Sequence, residues 1–100
     1  MKIPVLPPLQ FLVAFELMNG NQSGANLRKS LAKQGFKISL SAFYQLMSRL
    51  EESKFVKGEY LLKVEEAQTI KERQYELTPN GIAQVCLTQT FYARVKQFKI

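Results

Sequence analysis

Apolar and polar positions recur at helical period through the middle of the chain, most clearly from Ser39 to Val56, SLSAFYQLMSRLEESKFV. Leu40, Phe43, Met47 and Leu50 follow at spacings of three, four and three residues, which stacks them on one face of a helix. Ser41, Gln45, Ser48, Arg49 and Glu52 fall on the opposite side, with Ala42 beside them. Ser39 or Ser41 supplies the oxygen that caps the free N–H groups at its start. The alternating run that opens at Lys54-Phe55-Val56 ends the helix near Ser53. The polar face carries amide, hydroxyl and guanidinium groups, which are the groups that bond to base edges and phosphates. On its own, such a face is more often only the solvated side of a core helix.

The flanking patterns predict the other elements. A first helix starts at Pro7-Pro8 and stops at Asn19-Gly20; between Leu9 and Met18 only Gln10 and Glu16 are polar, so it must be buried on more than one side. Ser23 caps a second helix over Gly24 to Lys33, with Leu27 and Leu31 inward and Gly35 as a left-handed C-terminal cap. Val56, Gly58, Tyr60, Leu62 and Val64 alternate with Lys57, Glu59, Leu61, Lys63 and Glu65, predicting a half-buried strand. A polar link, Glu66 to Thr69, leads to a second strand over Ile70 to Leu77, with Tyr75 and Leu77 inward. Thr78 caps a last helix that begins at Pro79 and runs to about Lys96. Its apolar residues, Phe98 included, cover nearly its whole circumference, more than one domain of 100 residues can hide. A second copy of the chain is the expected cover, over Leu9, Leu12, Phe15, Val85, Phe91, Tyr92 and Val95.

Composition narrows the function classes. Fourteen basic against eight acidic residues give +6, which favours a polyanionic partner. Residues 1–50 carry Lys2, Arg28, Lys29, Lys33, Lys37 and Arg49 against Glu16 alone, and residues 77–100 carry Arg94, Lys96 and Lys99 with no acid. The middle holds the remaining acids. One cysteine, Cys86, and no histidine exclude an internal disulfide, zinc-finger spacing and a Cys–His nucleophile. Aspartate is absent as well, so neither an enzyme nor a metal or cofactor is expected. The proline-broken start does not have the shape of a signal peptide, and the apolar run from Leu9 to Met18 falls short of the roughly 20 residues that span a bilayer. A cytoplasmic protein without membrane contact is expected.

The order helix, helix, helix, strand, strand, helix is that of an α+β, mostly α, winged helix-turn-helix. At this point the residues resemble the PadR-like transcriptional regulators, whose recognition helix carries T-L-Y-P-x-L-x-R-L-E-x-x-G-L-I. The corresponding run here is Ala42 to Val56, in which Tyr44, Arg49, Leu50 and Glu51 match. Ala42 and Gln45 replace threonine and proline, and Lys54 replaces the glycine at the turn into the strand. Arg73-Gln74-Tyr75-Glu76-Leu77-Thr78-Pro79-Asn80-Gly81 follows the family's basic–aromatic–L-T-P-x-G ending of the wing. The resemblance implies the small subgroup with one short C-terminal helix. Residues 1–78 would form a winged-helix DNA-binding unit and residues 79–100 a dimerisation helix, together binding an inverted-repeat operator as a repressor.

For contact with double-stranded DNA the candidates are Ser39, Ser41, Ala42, Tyr44, Gln45, Ser48 and Arg49 on the central helix. Gln45 suits adenine, and Arg49 either grips DNA or pairs with Glu51 or Glu52. Arg28, Lys29, Lys63, Lys71 and Arg73 are phosphate candidates by position. A small-molecule effector has room between the dimer's aromatic helices, through Phe11, Phe15, Phe91 and Tyr92. The competing reading is a winged-helix module for protein–protein contact with weak or no DNA binding, supported by Glu59, Glu65, Glu66, Glu72 and Glu76 on the wing.

Overall fold

Three oxygen caps set the starts of three helices. The computed structural model describes residues 5–95, and in it α1 spans Pro8–Leu17, α2 Gly24–Lys33, α3 Leu40–Glu52 and α4 Pro79–Val95. The Ser23 hydroxyl accepts from the Asn26 N–H, Ser39 from Ala42 and Thr78 from Gly81, at 3.0–3.1 Å. Of the two serines open for capping α3, Ser39 does it. The helices α2 and α3 end alike: Gly35 and Phe36 donate to Ala32 and Leu31, and Lys54 and Phe55 to Glu51 and Leu50. That is the Schellman pattern, which places the residue after the cap in the left-handed region. Gly35 takes it at φ +93°, and Lys54, standing where the resemblance expects glycine, takes it at φ +63°.

The sheet is antiparallel with order β1-β3-β2: β1 (Gln22–Ser23), β2 (Val56–Glu65) and β3 (Gln68–Leu77). Two residues are too few to show a period, so β1 was invisible to the pattern; it pairs Gln22 with Tyr75 and Ser23 with Gln74. The strand β3 begins two residues earlier than expected, because the hairpin turns on Glu66-Ala67 alone, both at positive φ. Thr78 fastens the hairpin base to the α3 turn. Its N–H donates to the Phe55 carbonyl (3.0 Å) and its hydroxyl to the Lys54 carbonyl (2.6 Å).

Phe43, Leu46, Met47 and Leu50 of α3 meet Val13, Ala14, Leu17, Leu27, Leu31, Val56, Tyr75 and Val85 in one core. Leu46 therefore replaces Leu40, which is exposed at the first turn, where the helix runs past the body. The half-buried β2 is corrected too. Only its first residues touch the core, and Tyr60, Leu62 and Val64 are exposed, because strands of ten residues reach roughly 33 Å and outrun the helices. Val85 is fully buried against its own chain, which removes it from any interface. The segment before α1 is laced to α4: the Leu6 N–H donates to the buried Thr88 hydroxyl (3.0 Å), and the Tyr92 hydroxyl donates to the Leu6 carbonyl (2.9 Å). Phe98 and the charges at Lys2, Lys96 and Lys99 lie outside the described residues. Among the described residues no helix is long and apolar enough to cross a membrane.

Two backbone positions test this construction in opposite directions. A Cβ on Gly81 would overlap the Phe55 carbonyl oxygen, so Gly81→Ala should cost about 3 kcal/mol by prising α4 from the α3 turn. Lys54→Gly should stabilise by about 0.5–1 kcal/mol, the left-handed strain relieved less the extra entropy of an unfolded glycine. Urea unfolding of both variants measures the two signs.

Candidate nucleic-acid interface

The core face of α3 leaves Ser41, Ala42, Tyr44, Gln45, Ser48 and Arg49 exposed, with Ser39 at the cap. This is the face expected from the sequence, and no acid interrupts it between Ser39 and Leu50. Among the described residues Arg49 has no ion pair, so its guanidinium is not spent on Glu51 or Glu52. Beside it, Pro7, Leu9 and Gln10 at the start of α1 share a depression with Ala42, Gln45, Leu46 and Arg49. Gln10 thus borders the exposed face of α3, a neighbour that periodicity alone does not reveal. Its signal was present, as one of two polar positions in an otherwise apolar helix.

The wing has two chemically different faces. Strand pairing puts the even-numbered residues of β2 with the odd-numbered residues of β3, from Val56 opposite Leu77 to Val64 opposite Thr69. That face is continuous with the core and carries Tyr60, Leu62, Val64, Thr69, Lys71 and Arg73 without any carboxylate. The other face carries Glu59, Glu65, Glu72 and Glu76 with Lys57 and Lys63. Glu66 sits in the turn. Lys63 belongs to the acidic face, 3.2 Å from Glu65 and 3.8 Å from Glu72. Lys71 belongs to the acid-free face, its ammonium 4.5 Å from the Tyr60 ring centre.

Arg73 does a different job from the one expected. Its guanidinium bonds the Glu51 carboxylate of α3 at 2.5 Å and stacks over the Tyr60 ring at 4.7 Å. Gly58 makes room, since a Cβ there would overlap that carboxylate. Desolvation works against the Arg73 charge, but the hydrogen bond and field of Glu51 overcome it and raise the pKa above the ordinary arginine value. Arg73 is a brace between α3 and the wing rather than a free phosphate contact.

Between these elements lies a cleft of about 210 Å³, lined by Gly24, Ala25 and Arg28 of α2, Leu40, Phe43 and Tyr44 of α3, and Lys71 to Arg73 and Tyr75 of β3. It brings together Arg28, Tyr44, Lys71 and Arg73, which are 16–45 residues apart or nearer in sequence only in the last pair. Lys29 is exposed on α2 outside this lining. A larger groove of about 700 Å³ lies on α1 and α4, where Phe11, Leu12, Phe15 and Tyr92 form its apolar wall. Phe91 stands beside it with its ring 5.5 Å from that of Tyr92, and Val95 is exposed. Leu9 borders the depression beside α3 rather than this groove, and Val85, buried in the core, is the member of the expected surface that the structure corrects.

The fold recurs in solved structures. A PadR family transcription regulator from Clostridium difficile R20291 superposes with a TM-score of 0.80 at 15% identity, over 91% of this chain and 93% of that one. The chain has the PadR-like winged-helix fold. A PadR-like regulator from Bacillus cereus gives a TM-score of 0.74 at 23% identity, over 89% of this chain and 84% of the other. Bacillus subtilis PadR, solved in complex with operator DNA, gives 0.64 at 17% identity, over 80% of this chain and 45% of its own. No protein-family model matches the sequence, and no curated protein does. Within the PadR-like fold, α3 takes the place of the recognition helix and β2-β3 that of the wing. Among the described residues, no group of three or more histidine, cysteine or acidic side chains is placed to hold a metal ion.

Tyr75 links this site to pH. Burial raises its pKa above the ordinary tyrosine value, against the lowering influence of Arg73. Its folded-state value lies above the unfolded one. The contribution to stability is therefore complete below about pH 10 and is lost as pH rises through the folded value. Thermal unfolding between pH 8 and 11 should show a steeper alkaline loss in the wild type than in Tyr75→Phe.

Proposed function

We propose that the chain is a sequence-specific DNA-binding transcriptional regulator of the cytoplasm, acting as a homodimer. The observation that carries the reading is the surface formed by the exposed face of α3 and the adjoining face of the wing, where the bordering carboxylates, Glu51 and Glu72, are paired with Arg73 and Lys63. An α-helix fits the major groove, where Gln45 suits adenine and Arg49 suits guanine or a phosphate. The segregation of the wing glutamates onto the far face answers the objection that an acidic wing repels DNA. The neighbour solved in complex with operator DNA supports DNA as the partner. Glutamates alone gave the protein-contact reading its support, and with them turned away it ranks second.

Phe15, Val95 and the α1–α4 groove give the homodimer its surface, since exposed apolar walls of this kind are costly in water. A two-fold pair would set the two α3 helices about 34–36 Å apart, which calls for an inverted repeat. Occupying such a site excludes other proteins from it, which favours a repressor role.

Fluorescence anisotropy on selected and scrambled duplexes tests the reading. Gln45→Ala should relax preference at particular base pairs by about 1–3 kcal/mol each. Lys71→Ala should weaken all sequences alike, whereas Lys63→Ala, on the glutamate face, should change little. Light scattering should give twice the 11.5 kDa chain mass, and Phe15→Glu should halve it. Undetectable binding of the wild type at low salt would overturn the proposal.

A further inference from the structure

The cleft between α2, α3 and the wing has a composition that plain surface charge does not explain. After the internal pairs are counted, Arg73 is held by Glu51, and Glu72, the one carboxylate in the lining, is paired with Lys63 at 3.8 Å. Arg28 and Lys71 remain without a carboxylate partner among the described residues. They approach the cleft from different elements, α2 and β3. The Arg28 Nε is moreover shielded from solvent and has no acceptor. A buried donor left unmatched favours the arrival of an acceptor, and a singly charged oxyanion supplies both acceptor and charge. Tyr44 completes the set, since its ring lines the cleft while its position on α3 keeps it half exposed beside Gln45 and Ser48.

We infer that this cleft is the seat of one DNA backbone phosphate, held jointly by Arg28 and Lys71 with the Tyr44 hydroxyl as a further donor. The inference rests on the regulator reading and sharpens it. A helix lying in the major groove, about 12 Å wide, has a row of phosphates on either side, so the surface flanking α3 meets phosphodiester oxygens rather than bases. The cleft occupies the wing-side flank. Seating a single phosphate between α2 and the wing fixes how far α3 sits along the groove, and hence which base pairs Gln45 reaches. The seat carries no sequence preference of its own.

Salt titrations of Arg28→Gln, Lys71→Gln and the double variant on one duplex test the seat. Because the slope of log affinity against log salt counts phosphates neutralised, each single variant, which leaves one cation on the phosphate, should lower it by less than one unit, and the double variant by about one. That corresponds to roughly a 3.5-fold change in how much affinity is lost between 50 and 200 mM salt. A scan of single methylphosphonate substitutions through the duplex should find one position per half-site that lowers the slope for the wild type but leaves the double variant unaffected. This second arm alters the DNA and not the protein, so folding of a variant does not enter it. A double variant that loses about two units would assign the side chains to separate phosphates, and unchanged slopes would make them solvent-facing charges; either result overturns the seat. If the wild type binds the unmodified duplex yet no phosphate couples to Arg28 and Lys71, the seat alone falls. If the wild type binds no duplex at low salt, the regulator reading falls and the seat with it.

Discussion

The Glu51–Arg73 ion pair sets the angle between α3 and the wing, and the rest of the candidate interface depends on that angle. Exposed ion pairs usually add little stability, in the range of about 0–1 kcal/mol. This one is partly covered, crosses between two elements, and passes over Gly58, where any side chain would displace it. Its importance is geometric. Arg73 stacks on Tyr60, Tyr60 lies under Lys71, and Lys71 lines the same cleft as Arg28. A wing anchored only by its turn would leave Lys71 free to swing. Braced at Arg73, it presents one defined face.

That face is the reason an apparently unfavourable composition suits a nucleic acid. Counted along the chain, the wing has more acid than base. Counted by face, the register puts the glutamates of the strands on the side away from α3, with Glu72 alone also bordering the cleft and paired there with Lys63. Their effect on a polyanion is thereby reduced by distance and solvent screening over about 8–10 Å. The same segregation gives Lys63 and Lys71, only eight residues apart, opposite roles.

The helices were legible because each has a period, a cap and a stop: Ser23, Ser39 and Thr78 all serve as the hydroxyl caps expected of them, if Ser39 is taken for α3. The exposed face of α3 was legible for the same reason. Periodicity reports only the position around an axis and not the neighbours along it, so it puts Leu40 inside and does not mark Leu46. The wing turn escaped because Glu66-Ala67 adopts positive φ without glycine or asparagine. The two wing faces were contained in the alternation, but they emerge only when β2 and β3 are paired. The Glu51–Arg73 brace was hidden by distance along the chain, and Arg73 read as one more basic residue. The ties from Leu6 to Thr88 and Tyr92 span most of the sequence and carry no local signal at all.

The most direct measurement is a titration of isotopically labelled protein with an inverted-repeat duplex at low salt, followed by backbone amide shifts. Changes should concentrate at residues 39–49 of α3, at residues 24–28 of α2 and at residues 69–73 of the wing, while Lys57, Glu59, Lys63 and Glu65 and the exposed side of α4 stay nearly still. Shifts confined to the glutamate face or to α4, or none at saturating duplex, would contradict this assignment of the DNA-binding surface.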